Sequence, residues 1–151
     1  MYSMRPLSPT TRARLGRWLP PVFVGLAALA LYVATAAPGL TWSHDGADGG
    51  DLITAALTGG VPHPSGYPTY CLFGRLFATL PLGNLARRMN LFSAALAAAS
   101  VALVFLCARW LLEREGAARG DRVALYSAGA ALAYATGPTL WSQATIAEVY
   151  A

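Results

Sequence analysis

Three long apolar runs, separated by polar and turn-rich segments, organise this chain. The first, Leu19 to Ala37, carries no charge and is about the twenty residues that a helix needs to cross a hydrocarbon core of roughly 30 Å. The second, Leu91 to Leu112, follows the pair Arg87-Arg88 and is again about one membrane thickness. The third, Val123 to Leu140, is near the minimum spanning length and is interrupted close to its end by Gly137-Pro138. The pattern predicts an all-α integral membrane protein with spans over 19–38, 90–112 and 123–140. Residues 1–18, polar and rich in arginine, read as a disordered tail.

Between the first two spans, residues 39–84 form a polar loop with secondary structure of its own. Thr69 to Leu80 places apolar residues at helical spacing around Arg75, as in a short amphipathic helix lying at an interface, and Pro81 and Gly83 end it. Asn84 suits the N-cap of the following helix. Ala34-Thr35-Ala36 before Ala37-Pro38 also fits a signal-peptide cleavage site, and a mature N-terminus at Ala37 would remove the first span.

Composition agrees with a membrane protein: 56% hydrophobic and 12% charged residues, with a mean hydropathy of +0.46. All 11 basic residues are arginine, and the abundance of alanine and glycine suggests a GC-rich bacterial genome. A net charge of +4 is compatible with nucleic-acid binding, but the arginines sit in short clusters beside apolar runs and form no basic stripe, so no nucleic-acid partner is expected. They read as topology signals. The positive-inside rule puts the tail with Arg5, Arg12, Arg14 and Arg17, and the connector with Arg114, Arg119 and Arg122, in the cytoplasm. Asp45, Asp48, Asp51 and Glu148 then share the outer side, although Arg75, Arg87 and Arg88 weaken the asymmetry. Cys71 and Cys107 lie far apart in different settings and suggest no disulfide framework. Small residues crowd Ala94 to Ser100 and Ala128 to Ala135, so these helices expect close neighbours, and the chain reads as part of a larger bundle.

The candidate chemistry lies in the loop. Asp48 and Asp51 stand three apart just before the periodic stretch Leu52 to Leu57, at the first turn of a helix. One reading has them cap that helix and complement its dipole. The other makes one of them a general base toward an acceptor hydroxyl. His44, Asp45, Asp48, Asp51 and His63 are also metal-compatible ligand types, but their spacing matches no metal motif. In His63-Pro64-Ser65-Gly66-Tyr67-Pro68 the prolines stiffen the backbone, making either a rigid connector or a wall that presents His63 and Tyr67 to a ligand. Arg75, Arg87 and Arg88 are able to grip a lipid phosphate or to snorkel at the interface. Glu148, just beyond the third run, is expected to be solvated.

Six ordered motifs together carry a resemblance: Asp48-Gly49-Gly50-Asp51, Val61-Pro62-His63-Pro64-Ser65-Gly66-Tyr67-Pro68, Gly74-Arg75-Leu76-Phe77, Leu80-Pro81-Leu82-Gly83-Asn84, Arg88-Met89-Asn90 and Ala147-Glu148-Val149-Tyr150. From about Ala37 onward the chain resembles the polytopic membrane family that includes the animal transmembrane protein O-mannosyltransferases and many bacterial relatives. The resemblance implies the N-terminal part of a GT-C-like helical bundle. It implies a glycosyltransferase that moves a hexose such as mannose from a polyprenyl-phosphate carrier to an acceptor hydroxyl, on protein serine or threonine or on a glycan. It also implies a base role for Asp48 or Asp51, lining roles for His63 and Tyr67, and carrier-phosphate contact for Arg88 or Arg75, with Glu148 beside the substrate. No metal or further cofactor is implied, and the expected setting is a bacterial plasma membrane with the acidic loop external. The family pattern has Asp-Ser-Gly-Glu where this chain has Asp48-Gly49-Gly50-Asp51, and a proline at the position of Ser65. A non-catalytic membrane scaffold or transporter subunit is the alternative.

Overall fold

The computed structural model describes residues 9–150, with side chains placed from residue 16. The described residues fold into six helices and one 3₁₀ turn, without strands. Helix α1 spans Pro9–Thr35, and a 3₁₀ turn over Ser43–Asp45 leads into α2, Gly49–Thr58. Then follow α3, Pro68–Ala78, α4, Leu85–Arg114, α5, Asp121–Ala135, and α6, Pro138–Ala144. The tail expected over 1–18 is thus already helical from Pro9; residues 1–8 lie outside the described residues.

Among the described residues, two helices are long and apolar enough to cross a membrane, Gly16–Thr35 and Leu85–Arg114. The third run does not form the continuous span expected over 123–140. Helix α5 has 15 residues, about 22 Å at 1.5 Å per residue. Apolar patterning counts side chains, whereas helix continuity depends on backbone donors. Pro138 has no N–H to extend the ladder of α5, and instead opens α6 from its first turn.

Helices α1 and α4 run antiparallel, tied at both ends by arginines of α4. At one end Arg109 Nη1 donates to the Arg17 carbonyl at 3.2 Å. That carbonyl lies four residues before Pro21, inside α1, where no N–H returns to it. At the other end Arg87 donates to the carbonyls of Ala36, at 2.7 Å, and Val33, at 3.2 Å, in and just beyond the last turn of α1. Between these ties Val24, Ala28, Tyr32, Ala94, Ala97, Ala98, Val101, Phe105 and Ala131 form a core of mostly small side chains. A Cβ on Gly25 would stand 3.2 Å from the Ala102 Cβ, so the two backbones already meet closely. Tyr32 donates to the Ala135 carbonyl at 2.8 Å, which brings the end of α5 beside the end of α1.

A second core sits at that same end, where Leu52, Ile53 and Ala56 of α2 pack with Tyr70 of α3, Met89 and Phe92 of α4, and Ala147. Phe92 makes tilted contacts with Tyr70 and Phe77, each at 5.0 Å between ring centres. Asn84 caps α4 as expected, its Oδ1 accepting from Arg87 N at 2.8 Å. Asn90 donates to the carbonyls of Ala37, at 2.8 Å, and Gly39, at 3.0 Å, anchoring the start of the loop. The antiparallel course places 39–84 and the residues after Ala135 at one end of the bundle.

Candidate active site

Helix α2 begins at Gly49 with Asp48 in the N-cap position, yet the Asp48 side chain makes no capping hydrogen bond. Asp51, in the first turn, is also turned to another use. The chain leaves α2 through Gly59 in the left-handed region (φ 71°) and returns His63 to the start of the helix. There the His63 backbone N–H donates to Asp51 Oδ2 at 2.8 Å, and His63 Nδ1 lies 2.9 Å from the same oxygen. His63 Nε2 stands 3.4 Å from Asp48 Oδ2. One imidazole therefore bridges two carboxylates, and the capping reading gives way to a clamp between α2 and the loop after it.

The electrostatics follow from this arrangement. The His63 backbone N–H, then its ring, hold the Asp51 carboxyl below its usual range. The hydrogen bond it donates to Asp51, aided by the negative charges of Asp48 and Glu148, raises the His63 imidazole. Asp48 and Asp51 are 43% and 50% exposed along their side chains, so the pair is open to solvent and to a substrate. Tyr67, at the head of α3, presents its ring edge-on to His63 at 5.3 Å. It is held in the left-handed region at φ 39°, a cost accepted where surrounding structure fixes the residue. A hydrogen bond with Tyr150, then burial, raises the Tyr67 phenol.

Glu148 is the departure from expectation. It is 3% exposed, not solvated, and burial raises its carboxyl above the usual range, with the charge of Asp48 adding to the effect and His63 opposing it. Its Oε1 accepts from Val149 N at 2.7 Å. The chain after α6 turns inward because the Ala37 N–H donates to the Thr145 carbonyl at 2.8 Å, and residues 144–148 are all buried. The two ends of the sequence pattern, Asp48-Gly49-Gly50-Asp51 and Ala147-Glu148-Val149-Tyr150, thus meet around His63.

The arginines do not join them. Arg88 donates to the carbonyls of Ala78, at 2.7 Å, and Gly83, at 2.9 Å, holding the end of α3. Arg75 is exposed on α3 near Gly59, at the opposite end of α2 from Asp48, about 15 Å along the helix. No arginine figures among the charges that shift Asp51, His63 or Glu148. His44 and Asp45 stay on the exposed 3₁₀ turn, and among the described residues no three His, Cys, Asp or Glu side chains are grouped to hold a metal ion.

Beside Tyr67 opens a groove of about 500 Å3, lined by Tyr67, Tyr70, Phe73, Phe92, Leu96 and Val149 among others. Tyr150 and Ser93 are site residues that sequence reasoning missed. Tyr150 had a signal, since it closes one of the six motifs, but Ser93 looked like one more small packing residue.

Residues 48–151 match the family described as the protein O-mannosyl-transferase TMEM260 N-terminal domain. Among curated proteins the chain is similar to the mouse (Mus musculus) protein O-mannosyl-transferase TMEM260, 45% identical over 64 residues. That similarity covers 42% of this chain and 9% of the mouse protein, so the chain spans a small part of the relative's length. No solved structure matches.

Proposed function

We propose, from the premise that this chain belongs to the TMEM260 N-terminal domain family, that it carries the acceptor-activating site of a membrane glycosyltransferase. The reaction is transfer of a hexose, mannose being the sugar named for the mouse relative, from a polyprenyl phosphate to an acceptor hydroxyl. A serine or threonine of a protein is the acceptor of choice. The site faces the outer side of a bacterial plasma membrane, with the beginning of α1 and the α4–α5 connector in the cytoplasm. The exposed Leu72, Phe73 and Leu76 of α3 then rest in the lipid interface.

The observation that carries this reading is the bridge from Asp48 through His63 to Asp51. A carboxylate used only as a cap would point into its helix; these two point to an imidazole on a solvent-open surface. Asp48, bound less closely than Asp51, is the base: it takes the proton of the acceptor O–H as that oxygen bonds to the anomeric carbon. The bond from that carbon to the phosphate oxygen breaks, and the electron pair leaves with the polyprenyl phosphate. Asp51 acts through His63, orienting it by the backbone and ring contacts. Tyr67 lines the acceptor's approach. Arg88 is committed to backbone carbonyls, whereas Arg75, which among the described residues pairs with no carboxylate, is placed to grip a lipid phosphate at the interface. The reading assigns the chain no metal or cofactor of its own.

The test is hexose transfer from a polyprenyl-phosphate donor in membranes bearing the full-length protein. Asp48→Asn lowers the rate on the order of 10² to 10⁴-fold, as loss of a general base does, and Asp51→Asn lowers it less. Unchanged transfer in both variants removes the assignment. Cysteines placed at 48 and 51 react with an impermeant reagent from outside intact cells; reaction only from the cytosolic side defeats the external placement.

A further inference from the structure

Ser93 lies in α4, fully buried, eight residues inside the helix. Its hydroxyl accepts from the Glu148 backbone N–H at 3.1 Å and donates to the Glu148 carbonyl at 2.9 Å. The Tyr70 hydroxyl stands 3.4 Å away. A serine hydroxyl has one proton and two acceptor sites. Its proton is committed to the Glu148 carbonyl, so Tyr70 is the donor in the remaining contact, and all three capacities are filled. Both backbone polar groups of a residue 55 positions along the chain are thus met by one side chain.

We propose that Ser93 is a positioning residue for the acidic site: its hydroxyl fixes the backbone of Glu148 and so holds a third carboxylate against the Asp48–His63 pair. The segment after α6 is also tied by the Ala37–Thr145 bond, by Ala147 and Val149 at the second core, and by Tyr150 on Tyr67. Without the Ser93 hydroxyl, the Glu148 N–H and carbonyl face an apolar helix unpaired, and the segment relieves this by moving Glu148 toward water. The groups that share a field with Glu148 are Asp48 at the head of α2, His63 and Tyr67 on the returning loop, and Tyr70 of α3. Helix α4 contributes only the neutral Ser93 hydroxyl to this set. A dry Glu148 beside Asp48 and His63 retains its proton more readily than a solvated one.

The catalytic consequence rests on the transferase reading, but the positioning is measured without any substrate. Dicyclohexylcarbodiimide, an apolar reagent for protonated carboxyls, is applied to the full-length protein in liposomes across a pH series, and adducts on Glu148 are quantified by mass spectrometry. In the parent protein Glu148 labelling persists to higher pH than that of a solvated glutamate. Ser93→Ala shifts the labelling curve toward acid by about one pH unit, roughly tenfold less adduct on its upper limb, while Ser93→Thr, which keeps a hydroxyl, follows the parent. Ser93→Cys fills the same space with a weak donor and shifts the curve part of the way, and decides the matter should the alanine variant not fold. Superimposed curves for parent and Ser93→Ala, or for Ser93→Cys and Ser93→Thr, overturn the proposal. Where hexose transfer is measured, Ser93→Ala moves its pH profile in the same direction and adds nothing to Glu148→Gln. Absence of transfer in every form defeats the transferase reading, while the labelling curves still decide the role of Ser93.

Discussion

The two cores of this protein are built from opposite materials. Between α1, α4 and α5 the buried side chains are mostly alanine and valine, and the backbones come together until Gly25 has no room for a Cβ without displacing Ala102 or the Ala98 carbonyl. At the end of the bundle, α2, α3 and the first turns of α4 meet through Tyr70, Phe92, Met89 and Leu52, and a Cβ on Gly74 would stand 2.5 Å from Met89 Cε. The small-residue core suits helices in lipid, where close backbone approach supplies the attraction. The aromatic core suits a region outside the hydrocarbon, where removing large apolar area from water does so. The acidic site hangs from the second core, while its buried acid arrives on the chain segment that leaves the first. The difference assigns separate work to each: the bundle sets the frame, and the aromatic cap holds the acidic cluster.

Replacing a buried phenylalanine of each core tests that division most severely. Phe92→Ala empties the centre of the cap, removing both ring contacts, and costs about 3–5 kcal/mol. Phe105→Ala costs a similar amount in the bundle. Phe92→Ala is expected to expose the 60–67 loop to hydrogen exchange and to abolish transfer, whereas Phe105→Ala lowers the unfolding temperature of the solubilised full-length protein and leaves that loop protected. Equal exposure of the loop in both variants shows that the cores are one cooperative unit and removes the distinction.

A smaller effect is expected at the seam. Asn90 is buried among apolar neighbours and holds the carbonyls of Ala37 and Gly39. Asn90→Ala leaves them without a donor, at about 1–3 kcal/mol, and should loosen the start of the 39–84 loop more than α1 or α4. Hydrogen exchange resolved by segment checks this, and uniform loosening counts against a seam.

The seam also shows where sequence reading succeeds. Asn84 after Pro81 and Gly83 was legible as a cap because capping is local, and α3 was legible because its apolar spacing and flanking prolines are local. The two long helices follow from apolar length alone. The third apolar run divides at Pro138, where apolar content continues but the hydrogen-bond ladder does not. Asp48 and Asp51 were found by type and position, yet their partner was not, since the return of His63 depends on Gly59 and on the path of the loop. Glu148 looked solvated for the same reason: its burial is decided by Ser93, far away in sequence and silent in any pattern.

The smallest effect, and the sharpest for the cap alone, is the dependence of the His63 clamp on pH. Folding raises the imidazole above its ordinary 6.5, so its contribution is complete below that value and fades as pH rises through the folded value. Folding lowers the Asp51 carboxyl below its ordinary 3.8, so its contribution is complete above that value and fades as pH falls through the folded one. Between about 3.8 and 6.5 both are present, and the 60–67 loop is expected to be most protected there. Protection should fall on the alkaline side as the imidazole, raised above its ordinary 6.5, loses its proton. The groups are exposed, so solvent screening keeps the change modest. Among the described residues the bundle contains no histidine–carboxylate pair, its ion pairs being Arg109–Glu113 and Arg114–Glu115. Hydrogen exchange of residues 60–67, compared with residues 94–105 across pH in the full-length protein, therefore separates the cores without any mutation. His63→Asn should flatten the alkaline limb in the loop and change nothing in the bundle; an alkaline limb that survives the substitution moves the titration to another group and takes the clamp with it.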